Sequence, residues 1–408
     1  MKFKHRQLAN GLTIVAEVRP TAASMAAGFF VRTGSRDEAP EIAGVSHFLE
    51  HMTFKGSGRR TALDVNREFD ELGANYNAFT SEENTVYYAA VLPEFQSRLL
   101  DLLCDILRPS LRAEDFDLEK NVIIDEIARY EDMPRYRLYE KLMAECFLPH
   151  PLGNSVLGTT ESVRALRRED MQAYFDRRYS PGNLTLVGVG NVDFDALARK
   201  AADMCSDWQP RDATRDTATV RPRRRSRIYT DGGVARQHIA LASPAPPSQH
   251  ADRYAAMLTA TLLGDVTGSR LFYALVDPAI ADEATMVYDA LDGSGVFLTF
   301  LSADPDGAAE ALRIARDELG KFQSEGPTEA ELLAAKNKIA SGATLKGEVP
   351  MGRLTAVGYD WVYRKEYLPL AEQIETLFAV TAEEVLDVAR ACDLTATALV
   401  AVGPLEQL

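Results

Sequence analysis

The chain has 408 residues, of which 60 are acidic and 45 basic, so its formal net charge is -15. This charge repels nucleic acid and anionic membrane surfaces, and it argues against both as partners. Hydrophobic residues make up 46% of the sequence, which is typical of a folded globular protein, and the length favours two domains.

No segment of the sequence predicts export or membrane insertion. The basic start at 1–6 is followed by Gln7 and Asn10, where a signal peptide would need an apolar stretch. No run of about 18 to 20 apolar residues follows. The four cysteines lie far apart and lack the C-x-x-C spacing of redox or zinc sites. We therefore expect buried thiols in a reducing cytoplasm.

The first half of the chain predicts a sheet followed by packed helices. Alternating apolar and polar residues predict two strands within 11–33, and another pair over 75–80 and 84–91. Apolar residues at helical spacing predict a helix from about Ile42 and further helices over 62–72, 93–107, 113–131 and 168–178. A strongly apolar strand at 184–189 closes this half.

A polar stretch separates the two halves and predicts an exposed linker, although a specific anion site is the alternative for its arginines at 221–227. Beyond it the order of strands and helices recurs, and the apolar strand at 394–403 repeats the pattern of 184–190. We therefore predict an α+β fold of two homologous α/β-roll domains, each an antiparallel sheet packed with helices, related by duplication. The predicted domains are 1–208 and 226–408, with the linker at 209–225.

The segment His47-Phe48-Leu49-Glu50-His51 carries the strongest chemical signal. On a helix, its two histidines lie one turn apart on one face, so both rings can bind the same zinc ion. Glu50 shares that face, where its carboxylate can deprotonate a zinc-bound water. The spacing H-x-x-E-H is the inverse of the H-E-x-x-H zinc motif. We therefore predict a hydrolytic zinc centre on this helix.

A hydrolytic zinc ion needs a third protein ligand and leaves its fourth position to water. The helix predicted at 113–131 offers Glu119 and Glu126, which are seven residues apart and therefore on one face. The residues alone do not choose between these two carboxylates.

Four segments together resemble the pitrilysin or M16 family of zinc metallopeptidases, in its short-chain branch near mitochondrial processing peptidase. They are HFLEHMTFKG at 47–56, NYNAFT at 75–80, EKNVIIDEI at 119–127 and HPLG at 150–153. The resemblance implies that Glu126 is the third zinc ligand and that Glu119 supports the site from outside the ligand set. It also implies a closed chamber in which peptides or small unfolded polypeptides are hydrolysed.

Members of that family hold peptide as an added strand against a sheet edge near the zinc. The matching strand here contains Asn77, Ala78 and Phe79. The resemblance implies that Asn77 touches substrate directly, and a purely structural turn role is the alternative.

The family also uses an Arg and a Tyr in its second half to grip substrate and stabilise the oxyanion. They normally follow a Ser-Arg-Leu-Phe segment, which stands here at 269–272. Val276 occupies the Arg position, and Glu283 and Ala284 lie around the Tyr position, so the pair is missing. Three alternatives follow: a partner chain supplies the pair, other side chains replace it in an enzyme that works weakly or differently, or the protein binds peptide without cutting. The candidate replacements are Arg270, Tyr273 and Tyr288.

These patterns predict a cytoplasmic zinc metalloendopeptidase with Zn²⁺ as cofactor, a peptide as substrate and Glu50 as the base. The alternative is a non-catalytic or partner-dependent subunit that binds zinc and peptide. We expect a homodimer, or a heterodimer with a homologue that carries the Arg and Tyr. No phosphate-binding loop and no G-x-S-x-G nucleophile segment is present.

Overall fold

The computed structural model describes all residues, Met1–Leu408, and the chain folds into two compact units. The first unit comprises Met1–Ile127, Asn154–Arg215 and Thr344–Leu368. The second comprises Ala128–Gly153, Asp216–Ala343 and Pro369–Leu408. No helix is both long enough and apolar enough to cross a bilayer.

The strands are β1 (Lys2–Gln7), β2 (Thr13–Val18), β3 (Met25–Val31), β4 (Asn75–Thr80), β5 (Thr85–Val91), β6 (Leu184–Gly190), β7 (Ser226–Thr230), β8 (Gln237–Pro244), β9 (Glu283–Ala290), β10 (Gly295–Ala303) and β11 (Ala398–Gly403). The helices are α1 (Val45–Thr53), α2 (Ala62–Glu71), α3 (Gln96–Ile106), α4 (Ala113–Glu131), α5 (Pro134–Phe147), α6 (Thr160–Ala165), α7 (Arg168–Arg178), α8 (Phe194–Cys205), α9 (Arg253–Gly264), α10 (Ala308–Glu325), α11 (Glu329–Glu348), α12 (Pro350–Arg364), α13 (Leu370–Ala379) and α14 (Ala382–Ala391). The sequence pattern thus predicted α4 and α7 with correct bounds, and it missed β1.

The first unit is built on a six-stranded sheet in the order β1-β2-β6-β3-β5-β4. β3 lies inside this sheet, and all seven of its residues are buried because both faces of the sheet are covered. Leu354 and Val357 of α12 pack with Phe30 on one face, while α1 and α3 contact strands of the same sheet. All seven residues of β6 are buried as well, which explains why this strand stands out as strongly apolar in the sequence.

The second unit is built on a five-stranded sheet in the order β7-β11-β8-β10-β9. Leu138 and Leu142 of α5 pack against one face of this sheet, with Val400 of β11 among the residues they join. The other face packs with a second apolar cluster that includes residues of α9, α10 and α14.

Both sheets are antiparallel except for one pair each, β2 with β6 and β7 with β11, which are parallel. β6 and β11 return to their sheets after long helical connections, and such connections allow a parallel neighbour. The predicted antiparallel sheets are therefore mixed sheets.

The duplication is visible both in strand order and in individual contacts. The order β2-β6-β3-β5-β4 in the first sheet corresponds to β7-β11-β8-β10-β9 in the second. Lys120 Nζ donates hydrogen bonds to the carbonyls of Arg164 and Leu166 at the end of α6. Lys336 Nζ donates in the same way to the carbonyls of Phe378 and Val380 at the end of α13. The predicted homology of the two halves is thus reflected in equivalent lysines.

Each unit is completed by a segment from the other half of the chain. α12 lies in the first unit, and α5 lies in the second, so the units are not the continuous ranges 1–208 and 226–408. The chain passes from the first unit to the second at Arg215 and Asp216, inside the stretch predicted as a linker. That stretch, 209–225, contains no helix or strand. Its Arg215 is nevertheless buried and pairs with Asp37 at 2.5 Å.

Candidate metal centre

Helix α1 presents two faces of different chemistry. Val45, Leu49 and Met52 are at most 1% exposed and point into the core, while His47, Glu50 and His51 share the opposite face. The helix starts after Gly44, whose φ of +90° lies in the left-handed region that favours glycine. A side chain there would also meet the Leu157 carbonyl oxygen at 2.5 Å. The chain thus fixes both the start of α1 and the direction of its polar face.

Three potential metal ligands converge between α1 and α4. One ligand atom from each of His47, His51 and Glu126 lies within 4.8 Å of the other two. Glu126 Oε2 is 3.8 Å from His47 Nε2 and 3.5 Å from His51 Nε2. Ligand atoms of a tetrahedral zinc ion, each about 2.0 to 2.2 Å from the metal, are about 3.3 Å apart. The two imidazoles and the carboxylate therefore suit zinc both in chemistry and in spacing.

The two histidines differ in their electrostatic surroundings. Burial, supported by the neighbouring His51, lowers the pKa of His47 to about 3, so this ring is neutral and can bind metal. Burial also opposes protonation of His51, but the hydrogen bond with Glu119 and the charges of Glu50 and Glu126 outweigh it and raise its pKa. A metal that binds at His51 therefore competes with a proton for this ring.

Glu119 lies behind the ligand set. It is 4% exposed, and its Oε1 is 2.8 Å from His51 Nδ1, while Lys55 Nζ pairs with its other oxygen. Burial favours the neutral carboxyl, but the contacts with His51 and Lys55 outweigh it and lower the pKa of Glu119. The carboxylate therefore accepts the Nδ1 proton of His51 and leaves Nε2 directed at Glu126.

Glu50 is held by the sheet on the side of β4. Thr80 Oγ1 donates a hydrogen bond of 2.6 Å to Glu50 Oε2. Burial raises the pKa of Glu50, and the charge of Glu126 acts in the same direction. A raised pKa makes the Glu50 carboxylate more basic than an ordinary glutamate, which suits a proton acceptor beside the three potential metal ligands.

The strand with the predicted substrate contacts forms an edge of the first sheet. β4 pairs with β5 alone and ends the strand order, and α1 contacts β4. Asn77 is exposed, and its Oδ1 accepts the N–H of Ala78 at 2.8 Å. The roles of Asn77, Ala78 and Phe79 in binding substrate stay predictions.

Two of the three candidate replacements for the Arg and Tyr pair form side-chain hydrogen bonds or ion pairs inside the second unit. Arg270 forms a two-pronged ion pair with Glu331 at 2.9 and 3.0 Å. Tyr288 donates its hydroxyl proton to the Pro246 carbonyl. Tyr273 is 65% exposed, so it alone has a solvent-facing ring.

The residues that occupy the positions of the pair do not resemble it in chemistry. Val276 is packed against the apolar core of the second unit, and Ala284 is 2% exposed. Glu283 pairs with Arg135. None of these side chains offers a hydrogen-bond donor for an oxyanion.

Three residues that shape the site were not predicted from the sequence to have a role there. They are Lys55, which neutralises Glu119; Thr80, which binds Glu50; and Glu38, which accepts two backbone hydrogen bonds at the start of α1. Lys55 and Thr80 lie inside the segments that carry the family resemblance. Their position in those segments could have identified them as site residues. Glu38 lies nine residues before His47, and no spacing rule links a loop carboxylate to a helix end.

A pair of histidines and a glutamate, with a further carboxylate beside them, is the residue set of a zinc hydrolase. Residues 13–160 match the family described as Insulinase (Peptidase family M16), and residues 165–339 match the Peptidase M16 inactive domain. The chain belongs to the M16 peptidase family, and its cofactor is zinc.

Similar proteins cover nearly the whole chain. An uncharacterized zinc protease of Mycobacterium tuberculosis is 31% identical over 94% of this chain and 89% of its own length. An uncharacterized zinc protease of Rickettsia felis is 30% identical over 98% of both chains. The crystal structure of a protease from Helicobacter pylori superposes with a TM-score of 0.91 at 20% identity, over 99% of both chains. A Pseudomonas fluorescens peptidase M16 inactive domain structure also has a TM-score of 0.91, at 18% identity, over 99% of this chain and 98% of its own. These structures confirm the predicted fold.

Replacing Glu119 by Gln is expected to weaken zinc binding by about 10- to 100-fold, because the charge that orients His51 is lost. Competition with a chromophoric chelator measures the affinity. The control is Glu114→Gln, the same substitution at an exposed residue in the first turn of α4. Equal affinity in both variants would exclude the supporting role of Glu119.

Proposed function

We propose that the protein is a zinc metalloendopeptidase that hydrolyses peptides or small unfolded polypeptides. His47, His51 and Glu126 hold the zinc ion in this proposal, and Glu50 is the base. The observation that carries it is the convergence of the three ligand atoms within 4.8 Å, with Glu50 on the same helix as both histidines. A scaffold has little use for a base beside an open metal position.

Zinc, when bound, acts as a Lewis acid that polarises the scissile carbonyl and makes water a better nucleophile at neutral pH. Glu50 supplies the proton acceptor. Thr80 holds Glu50 Oε2, so Oε1 can accept the proton of the attacking water. The raised pKa of Glu50 favours this acceptance, and the protonated carboxyl then carries the proton to the leaving amine.

The exposed edge of β4 would hold the substrate as an added strand. Such a strand gains main-chain hydrogen bonds and needs few side-chain contacts. Asn77 is the residue proposed to touch the substrate directly, with Ala78 and Phe79 beside it. This mode of binding suits unfolded polypeptides, because a folded substrate cannot offer a free extended segment.

The missing Arg and Tyr favour a site that two chains complete. Arg270 and Tyr288 are engaged inside their own unit, so they are poor donors for an oxyanion. We therefore propose a dimer around a closed chamber, in which a homologue supplies the pair. A homodimer is the form expected when this chain is alone, and a non-catalytic subunit that binds zinc and peptide is the alternative function.

The cysteines support a cytoplasmic location for this activity. All four are buried free thiols. Free thiols are typical of a compartment that keeps glutathione or thioredoxin reduced.

A mixed peptide library tests the proposal directly. The purified chain, alone and together with co-encoded homologues, is incubated with the library, and mass spectrometry identifies the products. Cleavage should stop after treatment with a chelator and return when zinc is added. Cleavage that survives removal of zinc would contradict the proposal, and an absence of products under every condition would favour the binding subunit.

A further inference from the structure

Glu38 lies in the loop before α1 and binds the first turn of that helix. Its side chain is buried, with 4% of the residue exposed. Oε2 accepts the N–H of Gly44 at 2.6 Å, and Oε1 accepts the N–H of Ser46 at 2.7 Å. Ser46 immediately precedes His47. One carboxylate therefore fixes the backbone on the N-terminal side of a proposed zinc ligand.

No residue of α1 itself provides this cap. The N-cap residue is Gly44, which has no side chain, and the first turn contains no acidic residue. Other helices of the same unit carry their own caps, such as Asp193, whose side chain accepts the N–H of Ala196 at the start of α8. A negative group near a helix N-terminus also interacts favourably with the helix dipole. Glu38, which lies outside the helix, thus supplies the N-terminal cap that α1 lacks.

A chain of hydroxyl groups holds the same turn from a second side. Ser46 Oγ lies 2.7 Å from the hydroxyl of Tyr174 in α7. That hydroxyl lies 2.7 Å from Thr33 Oγ1, which in turn accepts a hydrogen bond from Arg178 Nε. Ser46 is therefore fixed both through its backbone and through its side chain.

The buried carboxylate of Glu38 lowers the stability of the folded state. Burial raises the pKa of Glu38 to about 7, with a contribution from the charge of Asp37. Burial and the charges of Glu38 and Asp37 raise the pKa of Tyr174, while Arg178 and Arg215 pair with Asp37. Glu38 thus has a helix N-terminus in place of a cationic partner.

We propose that Glu38 is a positioning residue for the metal centre, because it fixes the first turn of α1 and thereby the direction of the His47 side chain. The inference rests on the proposed function, since the centre it positions is the proposed zinc site. Glu38 does not touch the metal, the substrate or Glu50 in this scheme. It acts through the backbone of Gly44 and Ser46.

The full-length variant Glu38→Gln tests the proposal, because the amide places an N–H donor against a backbone N–H and loses the charge. Zinc affinity is measured by competition with a chelator, and the geometry of the site by the visible spectrum of Co²⁺ bound in place of zinc. We expect zinc binding about 10- to 100-fold weaker and a changed spectrum at full occupancy. The control Asp193→Ala removes the cap of α8 in the same unit and should change neither quantity.

Unchanged affinity and an unchanged Co²⁺ spectrum in Glu38→Gln would overturn the inference while leaving the zinc site intact. An equal loss in Asp193→Ala would also overturn it, because the effect would then be general destabilisation. If Glu38→Gln does not fold, Tyr174→Phe decides, since it removes the hydroxyl that contacts both Ser46 and Thr33 and loosens the same turn. It should give a smaller change of the same sign. No change in that variant would reject the inference. Wild-type protein that binds neither metal would overturn the proposed function as well.

Discussion

Replacing Glu50 by Gln is expected to reduce peptide cleavage by about 10²- to 10⁴-fold, the range contributed by a general base. The amide keeps the size of the side chain and can still accept the hydrogen bond from Thr80, but it cannot take a proton from water. His47, His51 and Glu126 are untouched, so zinc should remain bound. Product formation and the zinc content of the same preparation are measured together.

The control for this variant is Glu41→Gln. Glu41 is an exposed residue in the loop before α1, so the substitution changes the same net charge near the same helix without reaching the site. Its activity should equal that of the wild type. Full activity in Glu50→Gln would remove Glu50 as the base, and loss of zinc in that variant would show that the residue has a different role.

Mixing this chain with a homologue that carries the Arg and Tyr pair is expected to raise peptide cleavage by about 10²- to 10³-fold, because an oxyanion donor contributes a factor of this size. The expectation follows from Val276 and Ala284, which offer no donor at the positions of the pair. Cleavage rates are measured for each chain alone and for the mixture, and light scattering reports the assembly.

Two controls show which chain performs the chemistry. The homologue with its Arg and Tyr replaced should no longer activate this chain. The Glu50→Gln variant of this chain, mixed with the intact homologue, should remain inactive if the homologue has no zinc site of its own. Efficient cleavage by this chain alone, at a rate that no homologue changes, would contradict the proposal that a partner chain completes the site. Tyr273 would then be tested first, because its ring faces solvent.

The sequence was most informative where chemistry depends on local spacing. His47, Glu50 and His51 share one face of a helix because their spacing matches the helical period. The seven-residue interval between Glu119 and Glu126 placed both on one face of α4, yet it did not distinguish their roles. The structure separates them by distance: Glu126 faces both Nε2 atoms, whereas Glu119 binds His51 Nδ1.

The sequence was least informative about contacts between distant segments. Helices α5 and α12 were not predicted from the sequence, and a local pattern does not say against which sheet a helix packs. Both helices pack in the unit formed mainly by the other half of the chain. Glu38 was missed for a related reason, since a loop carboxylate that caps a helix end leaves no periodic signal. Such contacts follow from tertiary packing alone.

The central claim is that one zinc ion is held by His47, His51 and Glu126. Anomalous scattering recorded above and below the zinc absorption edge, on crystals of protein purified with zinc supplied, tests it most directly. We predict one anomalous peak per chain, within bonding distance of the Nε2 atoms of His47 and His51 and of a Glu126 carboxylate oxygen. A metal-free site in such crystals, or a peak bound by other residues, would contradict the claim.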